Sequence, residues 1–452
     1  MNNKGFMATS IIYSFMLVFM AFLLTLVVSY AHNRILVNNI NNKSKNNISE
    51  YNLYSKDTSG AADPSSYLGD LTPVVYYYDS EEEMYKARYA NVTNENWFNY
   101  SKQIWANAVL LKSGATATIG SDVNNEDVIG YFVWIPRFKY RLFNNNFDNI
   151  LSNINGVSII FENDQVTSDV NGNVNGTYYT HPAFTYYNEA GGAELKIPGF
   201  WIAKYETYKN NQTIYSLPGK NLSSFSDIET SLSESILFYN YSANGLDLAS
   251  HMLKDNQWGA VSYLSFSNYG IKGNKDVLSK FPVANTTVIT GGGVVTNNDN
   301  YLNQSTTGNI YGVYDMVGGK GEKVLTSISD ASLSQSYIFP SDTISYGYLY
   351  DNYSFNCIFA EENLNNNQAC TAANGNNSSD FKLGDGIGEM NYLSINVNKL
   401  KYDISNNTYN YYYVRGLNNE NLSFSNIFDS LATTGGNEYN YRLSISPVGL
   451  GG

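Results

Sequence analysis

One uncharged apolar segment near the amino terminus, Phe6 to Tyr30, constrains the fold of this chain more than any other sequence feature. Its polar residues are limited to Thr, Ser and Tyr. At a rise of about 1.5 Å per residue, a helix over this segment is long enough to cross a hydrocarbon core about 30 Å thick. We therefore predict one transmembrane helix over residues 6–30 and a single-pass location in the cell membrane.

A cleaved secretory signal peptide is the alternative interpretation of this segment, because Ser29 and Ala31 are small residues suitably spaced for a signal-peptidase cut. The apolar run is longer than an ordinary signal-peptide core of about 7 to 15 residues, which favours a retained anchor. Basic residues are more frequent after the segment than before it, and counting them alone would place the following domain inside. Long domains are translocated largely regardless of such charges, and we expect the large carboxyl-terminal domain to be extracellular.

The residues that precede the segment, "NNKGF", resemble the leader of type IV pilins and pseudopilins. In that family a prepilin peptidase cuts between the glycine and the aromatic residue, so the resemblance implies processing between Gly5 and Phe6. Pilins have Glu as the fifth mature residue, whereas this chain has Ser10. The missing carboxylate favours a membrane-anchored surface protein over a polymerising pilin. Partnership with pilus or pseudopilus subunits stays open as the alternative.

The rest of the chain changes from polar low-complexity sequence to short β-prone runs at Leu71. Before this point, Asn and Ser are frequent and no period is sustained, which is typical of a linker or stalk. After it, runs rich in Val, Ile, Tyr and Phe are separated by Gly, Asn and Pro. We predict a leader over residues 1–5, the transmembrane helix over 6–30, a polar linker over 31–70 and an α+β domain over 71–452.

Within the domain, the sequence predicts mostly strands, and no internal repeat indicates a solenoid or propeller. The strand predictions fall on "PVVYYYD", "YFVWIPRFKYRLF", "GVSIIFE", "FWIAKYETY", "YYYVRG" and "YRLSISP". A helix is predicted in "HMLKDNQWGAVSYLSFSNYG", with Asp255 as its capping residue. A second helix is predicted in "ENWFNYSKQIWANAVLL", whose aromatic content also fits a strand.

Charge and cysteine content exclude several classes of protein. The net charge is −13, with 27 Lys and Arg against 40 Asp and Glu, which disfavours nucleic acid as a partner. The only cysteines, Cys357 and Cys370, have no zinc-ligand spacing, and the three histidines are far apart in sequence. A zinc cluster is therefore not expected. In an extracellular domain the two cysteines could form one disulfide that closes a surface loop.

The glycine-rich stretch "GNIYGVYDMVGGKGEKV" does not match a phosphate-binding loop. A Walker loop requires Ser or Thr after its lysine, and Gly321 follows Lys320. A dinucleotide loop requires a third glycine where this chain has Val324. We predict a buried strand-turn element from Tyr311 to Met316, followed by a flexible connection from Gly318 to Gly321.

The same stretch is similar to the "GLYDMxGNVWEW" signature of the formylglycine-generating-enzyme superfamily, whose domain is a variant of the C-type lectin fold. Further segments resemble that family in the same order: "FWIAKYETY", "HMLKDNQWGAVSYL", "YYYVRGLN" and "YNYRLSISP". The resemblance spans Leu71 to the end, is carried by the ordered set, and is closest to a non-catalytic surface-associated branch. Its motif residues are Trp201, Tyr205, Glu206, Trp258, Tyr311, Tyr314, Asp315, Met316, Gly318, Gly319, Glu322, Arg415, Gly416 and Arg442.

The catalytic groups of the superfamily are not found in this sequence. Formylglycine-generating members bind copper through two closely spaced cysteines near the carboxyl end, and this chain has no cysteine after Cys370. The histidine cluster of the related iron-dependent sulfoxide synthases is not matched either. Glu206 and Glu322 are expected to orient loops or face solvent. We predict no catalytic residue and no cofactor, with a structural calcium ion left open because the calcium triplets of sugar-binding lectins are missing.

These observations favour a bacterial surface protein with a non-catalytic domain that binds an extracellular protein or glycan. Candidate binding loops are Asp351 to Asp380 and Tyr409 to Tyr441, which are rich in Tyr, Asn and Ser. One alternative is a minor pilin or pseudopilin with this domain at the filament tip. Another alternative is a divergent metal-dependent oxidase.

Overall fold

The protein is described by a computed structural model, and contacts divide the chain into two compact units, Met1–Tyr54 and Ser55–Gly452. All residues that the structure describes belong to the second unit. They are 57–94, 96–143, 156–162, 170–171, 177–187, 194–225, 228–271, 289–293, 302, 304–316, 320–324, 328–330, 335–337, 412–416, 431–433 and 440–448. Within these ranges no helix is long and apolar enough to cross a membrane. The predicted membrane segment, with Gly5 and Phe6, lies outside them.

The described part of the domain consists mostly of strands, with a few helices, so the mixed α and β class predicted from the sequence is confirmed. In chain order the strands are β1 (Thr72–Asp79), β2 (Met84–Tyr89), β3 (Asn107–Leu111), β4 (Val128–Pro136), β5 (Phe138–Phe143), β6 (Gly156–Phe161), β7 (Val170–Asn171), β8 (Thr177–Thr180), β9 (Thr185–Tyr187), β10 (Glu194–Lys196), β11 (Gly199–Ala203), β12 (Tyr208–Asn210), β13 (Thr213–Tyr215), β14 (Asn240–Ala243), β15 (Leu246–Met252), β16 (Glu322–Val324), β17 (Ile328–Asp330), β18 (Gln335–Tyr337), β19 (Tyr412–Arg415), β20 (Leu431–Thr433), β21 (Asn440–Tyr441) and β22 (Leu443–Val448). The α-helices are α1 (Ile228–Leu237) and α2 (Asp255–Ser265). Short 3₁₀ turns occupy Pro64–Tyr67, Tyr100–Lys102, Asn125–Asp127, Pro182–Phe184 and Thr290–Gly293.

An eight-stranded antiparallel sheet forms the centre of the domain, in the order β14-β15-β22-β11-β4-β3-β1-β2. Its middle strands β4 and β11 read "VIGYFVWIP" and "GFWIA" and are buried almost throughout. Such continuous apolar runs fit a position covered on both faces of a sheet. The late strand β22 pairs with β11 and β15, which brings the carboxyl-terminal residues into the centre of the sheet.

Smaller sheets surround this centre. One has the order β20-β19-β16-β21, in which β16 and β21 run parallel, and another has the order β6-β5-β8-β7. Three antiparallel two-stranded pairs, β9 with β10, β12 with β13 and β17 with β18, make up the remainder of the described sheets. Because β16 pairs with both β19 and β21, segments far apart in sequence meet beside the main sheet.

The described end of the predicted linker packs onto the domain. The indole nitrogen of Trp134 donates to the carbonyl of Ala62 at 3.1 Å, and that of Trp201 donates to the carbonyl of Tyr67 at 2.7 Å. The ring of Tyr67 also stacks on Trp134, with centroids 5.6 Å apart. Residues 57–70 are therefore part of the folded domain, and the packed region begins before Leu71.

The first predicted helix is present as α2, although its cap differs from the prediction. Lys254 is the N-cap residue and Asp255 is the first residue of the helix. The backbone N–H of Lys254 donates to Gln257 Oε1 at 3.0 Å, which satisfies one group at the helix start. The side chain at position 257 therefore takes the capping role that we expected of Asp255.

The second predicted helix is wrong. The segment forms a single 3₁₀ turn at Tyr100–Lys102 and then enters β3. Trp97 and Trp105 are both fully buried, and the indole of Trp97 donates to the carbonyl of Asn107 at 2.7 Å. The aromatic residues were the ambiguous part of the pattern, and here tertiary packing and strand pairing outweigh helix propensity.

Candidate functional site

Motif residues from four separate segments converge in the interior beside the main sheet. Arg442 lies between β21 and β22, Glu322 begins β16, Glu206 follows β11, and Asp315 lies in the turn before β16. All four are buried. We call these four residues the Arg442 cluster.

Arg442 connects the segments of this cluster through its guanidinium group. Its Nε donates to Glu322 Oε1 at 2.8 Å, and Nη2 donates to the same oxygen. Nη1 donates to the carbonyl of Ala203 at 3.0 Å, while Nη2 also reaches the carbonyls of Tyr314 and Asp315 at 2.9 and 3.3 Å. A guanidinium offers five donors in a fixed plane, which suits this junction of backbone and carboxylate acceptors.

The other two carboxyl groups of the cluster are held mainly by neutral donors. Glu206 accepts from the backbone N–H of Lys320 at 3.3 Å and from Asn440 Nδ2 at 3.2 Å. Asp315 Oδ2 accepts from the backbone N–H of Gly291. Arg442 is therefore the one cation that bonds directly to a carboxylate of this cluster among the described residues.

Burial raises the pKa of all three carboxyl groups in the Arg442 cluster. The pKa of Asp315 rises from 3.8 to about 6, chiefly through desolvation. The pKa of Glu206 lies well above its usual value through desolvation and the negative charge of Glu322, with Arg442 opposing both. Desolvation also raises the pKa of Glu322, while Arg442 favours its charged form. We conclude that Glu322 is the ionised partner of Arg442 and that Glu206 holds a proton at neutral pH.

Glu322 and Glu206 differ from the sequence-based expectation, because neither faces solvent. Glu322 Oε2 has no hydrogen-bond partner among the described residues. The indole of Trp258 favours the charged form of Glu322, although its N–H makes no hydrogen bond of standard geometry within the described ranges. Only an arrangement in three dimensions brings Arg442 to this carboxylate and so permits the burial.

The turn from Tyr311 to Met316 is buried as predicted, but it forms turns and one isolated bridge, Ser305 to Tyr314, in place of a strand. Asp315 has a left-handed backbone, with φ of 60°, which Asp tolerates better than most residues. Gly416 has φ of 69°, and a Cβ there would lie 2.4 Å from the carbonyl oxygen of Met316. Glycine at this position therefore lets β19 end directly against the turn.

The other described motif residues complete the packing around the cluster. The guanidinium of Arg415 lies over the ring of Trp258, 4.6 Å from its centroid. Trp201 instead packs against Trp134 within the main sheet, with centroids 5.2 Å apart. Tyr205 packs against the ring of Tyr314 at 5.5 Å. Gly318, Gly319, Cys357 and Cys370 lie outside the described residues, as does most of the two candidate binding loops.

A second buried polar site surrounds Lys204, which immediately follows β11. Its Nζ donates to Asn107 Oδ1 at 2.7 Å and also to the carbonyl of Ile310. The hydroxyl of Tyr76 donates to the same Asn107 oxygen at 3.3 Å. Desolvation holds the pKa of Lys204 well below its usual value. We call Lys204, Asn107 and Tyr76 the Lys204 site.

Aromatic rings enclose the Lys204 site. Nζ of Lys204 lies 4.6 Å from the ring centroid of Tyr76 and 5.6 Å from that of Tyr314. The ring of Tyr76 in turn meets that of Tyr311 edge-on at 5.4 Å. Sequence analysis missed this site, although a lysine beside the apolar run of β11 and an asparagine at the start of the apolar β3 were signals of buried polar residues.

The two described histidines occupy separate buried environments. His181 lies between the rings of Phe138 and Tyr140, at 5.4 and 5.2 Å, whereas His251 Nε2 lies 2.9 Å from Ser446 Oγ. Desolvation lowers the pKa of each histidine to about 3. In the described part of the chain, no group of three or more His, Cys, Asp and Glu residues is placed to hold a metal ion.

Comparison with protein-family models and with curated proteins returns no match for this chain. The geometry itself points to a structural use of the motif residues. In the Arg442 cluster, charged groups bond to one another and to backbone carbonyls that belong to different segments. Such bonds hold irregular connections in place and leave the outer surface available for contact with other molecules.

Proposed function

We propose that this protein is a membrane-anchored surface protein with a non-catalytic, C-type-lectin-like domain of the formylglycine-generating-enzyme type, which binds a ligand or another surface. The observation that carries the proposal is the Arg442 cluster. Residues of the ordered motif set are buried there, and their charged groups are used to join β16, the turn before it and the end of β11. The anchor rests on the sequence of Phe6 to Tyr30.

A preorganised surface patch on the β1–β2 hairpin supports a binding role. The guanidinium of Arg88 lies 4.0 Å from the ring centroid of Tyr77, and the Tyr77 hydroxyl donates to Asp122 at 2.6 Å. Arg88 also pairs with Asp122 at 3.2 Å, with side chains 42% and 45% exposed. Tyr and Arg dominate the energetics of protein interfaces, and a fixed rotamer lowers the entropy cost of binding.

The proposal is tested with cells that produce the full chain. Surface labelling by a membrane-impermeant reagent should modify the carboxyl-terminal domain, and the cells should bind glycan or extracellular-protein arrays more strongly than cells without the protein. A domain protected from the reagent would contradict the extracellular orientation. An accessible domain that increases binding to no glycan, protein or cell surface would contradict the binding function.

The patch is tested with Arg88→Ala and Tyr77→Ala, with Tyr208→Ala as the matched control. Tyr208 belongs to the separate β12–β13 hairpin, where it packs on Tyr215 at 6.1 Å. If the patch contacts the ligand, the two patch variants should lose about 2 kcal/mol of affinity each, and the control should bind like the parent. Unchanged affinity in both patch variants would place the contact elsewhere on the surface.

A minor pilin or pseudopilin is the alternative that the leader sequence favours. Sequencing of the mature amino terminus distinguishes the two forms, because prepilin processing exposes Phe6 and a retained anchor keeps the leader. A mature terminus at His32, directly after the possible signal-peptidase cut, would instead indicate a secreted protein.

The oxidase alternative is tested by metal analysis. Protein produced with copper and iron both available would carry one of them stoichiometrically if this alternative were correct. Protein that carries neither metal would contradict it.

A further inference from the structure

We propose that the Lys204 site forms an intramolecular isopeptide bond, which joins Nζ of Lys204 to Cγ of Asn107. The two side chains are fully buried, and Nζ lies 2.7 Å from the amide oxygen that Cγ carries. The inference concerns covalent chemistry within the domain and does not depend on the proposed function.

Lys204 meets the requirement for a nucleophile, which is a neutral amine. Among the described residues, no carboxylate forms an ion pair with it, and its hydrogen bonds go to the amide of Asn107 and the carbonyl of Ile310. The rings of Tyr76 and Tyr314 favour an ammonium ion, but desolvation outweighs them and lowers the pKa. A lysine buried in this way gives up its proton more readily than an arginine.

Asn107 is oriented as the electrophile. Its Nδ2 donates to the carbonyls of Trp105 and Tyr311 at 2.9 and 2.8 Å, so Oδ1 is the atom that faces Lys204. The hydroxyl of Tyr76 donates to this oxygen at 3.3 Å. A donor at that position stabilises the negative charge that develops on the oxygen during attack.

The reaction conserves atoms and electrons without an oxidant or a co-reactant. The amine lone pair of Lys204 attacks Cγ of Asn107, and a tetrahedral intermediate forms with its negative charge on Oδ1. A proton passes from Nζ to Nδ2, the bond between Cγ and Nδ2 breaks, and ammonia leaves. The product is a secondary amide between the two side chains. Removal of water from the site favours this outcome over hydrolysis of the asparagine.

The bond would connect parts of the sheet that do not pair directly. Asn107 begins β3 and Lys204 follows β11, and β4 lies between these two strands. The residues are 97 positions apart in sequence. A covalent bond across this separation would restrict the unfolded chain as a disulfide of similar loop length does.

Intact mass spectrometry of the full-length protein is the decisive measurement and requires no variant to fold. The expected mass is lower than the sequence mass, after any amino-terminal processing, by the mass of one ammonia molecule. Tryptic digestion should give a branched peptide that contains Asn107 and Lys204, with no cleavage after Lys204. Unmodified peptides for both residues would overturn the proposal, and conversion of Asn107 to aspartate with a free Lys204 would overturn it equally.

Variants assign the bond to these residues. Lys204→Met and Asn107→Ala should each abolish the mass loss, whereas Lys323→Met should retain it, because Lys323 is equally buried but bonds to the carbonyl of Phe225. Tyr76→Phe should leave an unlinked fraction that matures about 10²-fold more slowly than the parent. A mass loss that persists in folded Lys204→Met would overturn the assignment. Maturation of Tyr76→Phe at the parental rate would overturn the role given to Tyr76.

Discussion

The Arg442 cluster and the Lys204 site both bury a basic side chain completely, yet their partners differ. Arg442 bonds to the carboxylate of Glu322 and to three backbone carbonyls. Lys204 bonds to a neutral amide and a single backbone carbonyl. The two regions are close along the chain, because Lys204 and Glu206 both follow β11.

The difference follows from the chemistry of the two basic groups. A guanidinium keeps its proton under all ordinary conditions, so its burial requires an anionic partner. A primary amine can lose its proton, so burial without a carboxylate yields a neutral amine. The interior therefore stabilises charge in one region and generates a nucleophile in the other.

Removal of the cation from the Arg442 cluster should have the largest effect. Arg442→Met leaves Glu322 ionised without its partner beside two further buried carboxyl groups. We expect the free energy of unfolding to fall by about 3 to 5 kcal/mol, measured by urea denaturation. A loss below about 1 kcal/mol would show that the carboxyl groups do not depend on this cation and would remove the contrast with Lys204.

Asp315→Asn should remove a pH-dependent cost from the same cluster. Burial raises the pKa of Asp315 from 3.8 to about 6, so the folded protein holds this proton more tightly than the unfolded chain. The cost to stability appears as pH rises from about 4 to about 6 and reaches about 3 kcal/mol above that range. Asparagine tolerates the left-handed backbone and can accept from Gly291.

Urea denaturation at several pH values between about 4 and about 7 checks this expectation. The stability of Asp315→Asn relative to the parent should increase with pH across that window. The buried histidines titrate in both proteins and cancel in the difference. The exposed Asp122→Asn serves as the control and should show no such trend. A difference for Asp315→Asn that is constant with pH would contradict the assigned titration.

Tyr314 belongs to both regions, since its carbonyl accepts from Arg442 and its ring lies beside Lys204. Its buried hydroxyl has no hydrogen-bond partner among the described residues. Tyr314→Phe should therefore raise the unfolding free energy by about 1 kcal/mol. In the matched variant Tyr100→Phe, a hydroxyl that donates to the carbonyl of Trp134 at 2.7 Å is lost, and stability should fall by about 1 kcal/mol. Thermal or urea unfolding that shows the same sign for both would contradict this reasoning.

An exposed cation should have the smallest effect of the series. Lys86 on β2 pairs with Asp79 at 2.9 Å and Glu82 at 2.6 Å, and all three side chains contact solvent. Lys86→Met should change stability by less than about 1 kcal/mol, and the change should shrink further in high salt. A loss as large as that of Arg442→Met would show that burial is not what separates strong from weak ion pairs in this domain.

Sequence patterns located several of these elements correctly. The runs of β1, β4, β11 and β22 were predicted as strands, and α2 was predicted as a helix. The motif residues Glu206, Asp315, Glu322 and Arg442 were also named from the sequence. The predicted helix before β3 was wrong, because an aromatic-rich run fits either element when its tertiary neighbours are unknown.

What the sequence determined by itself was local: the apolar segment from Phe6 to Tyr30, the alternation of strands and turns, and the identity of the motif residues. Only the tertiary structure decided which of these residues meet. Arg442 reaches Glu322 across 120 positions of sequence, and Lys204 reaches Asn107 across 97. Both encounters depend on which strands and turns are spatial neighbours. Periodicity reports the environment of one segment at a time, whereas the state of a buried charge depends on partners contributed by other segments.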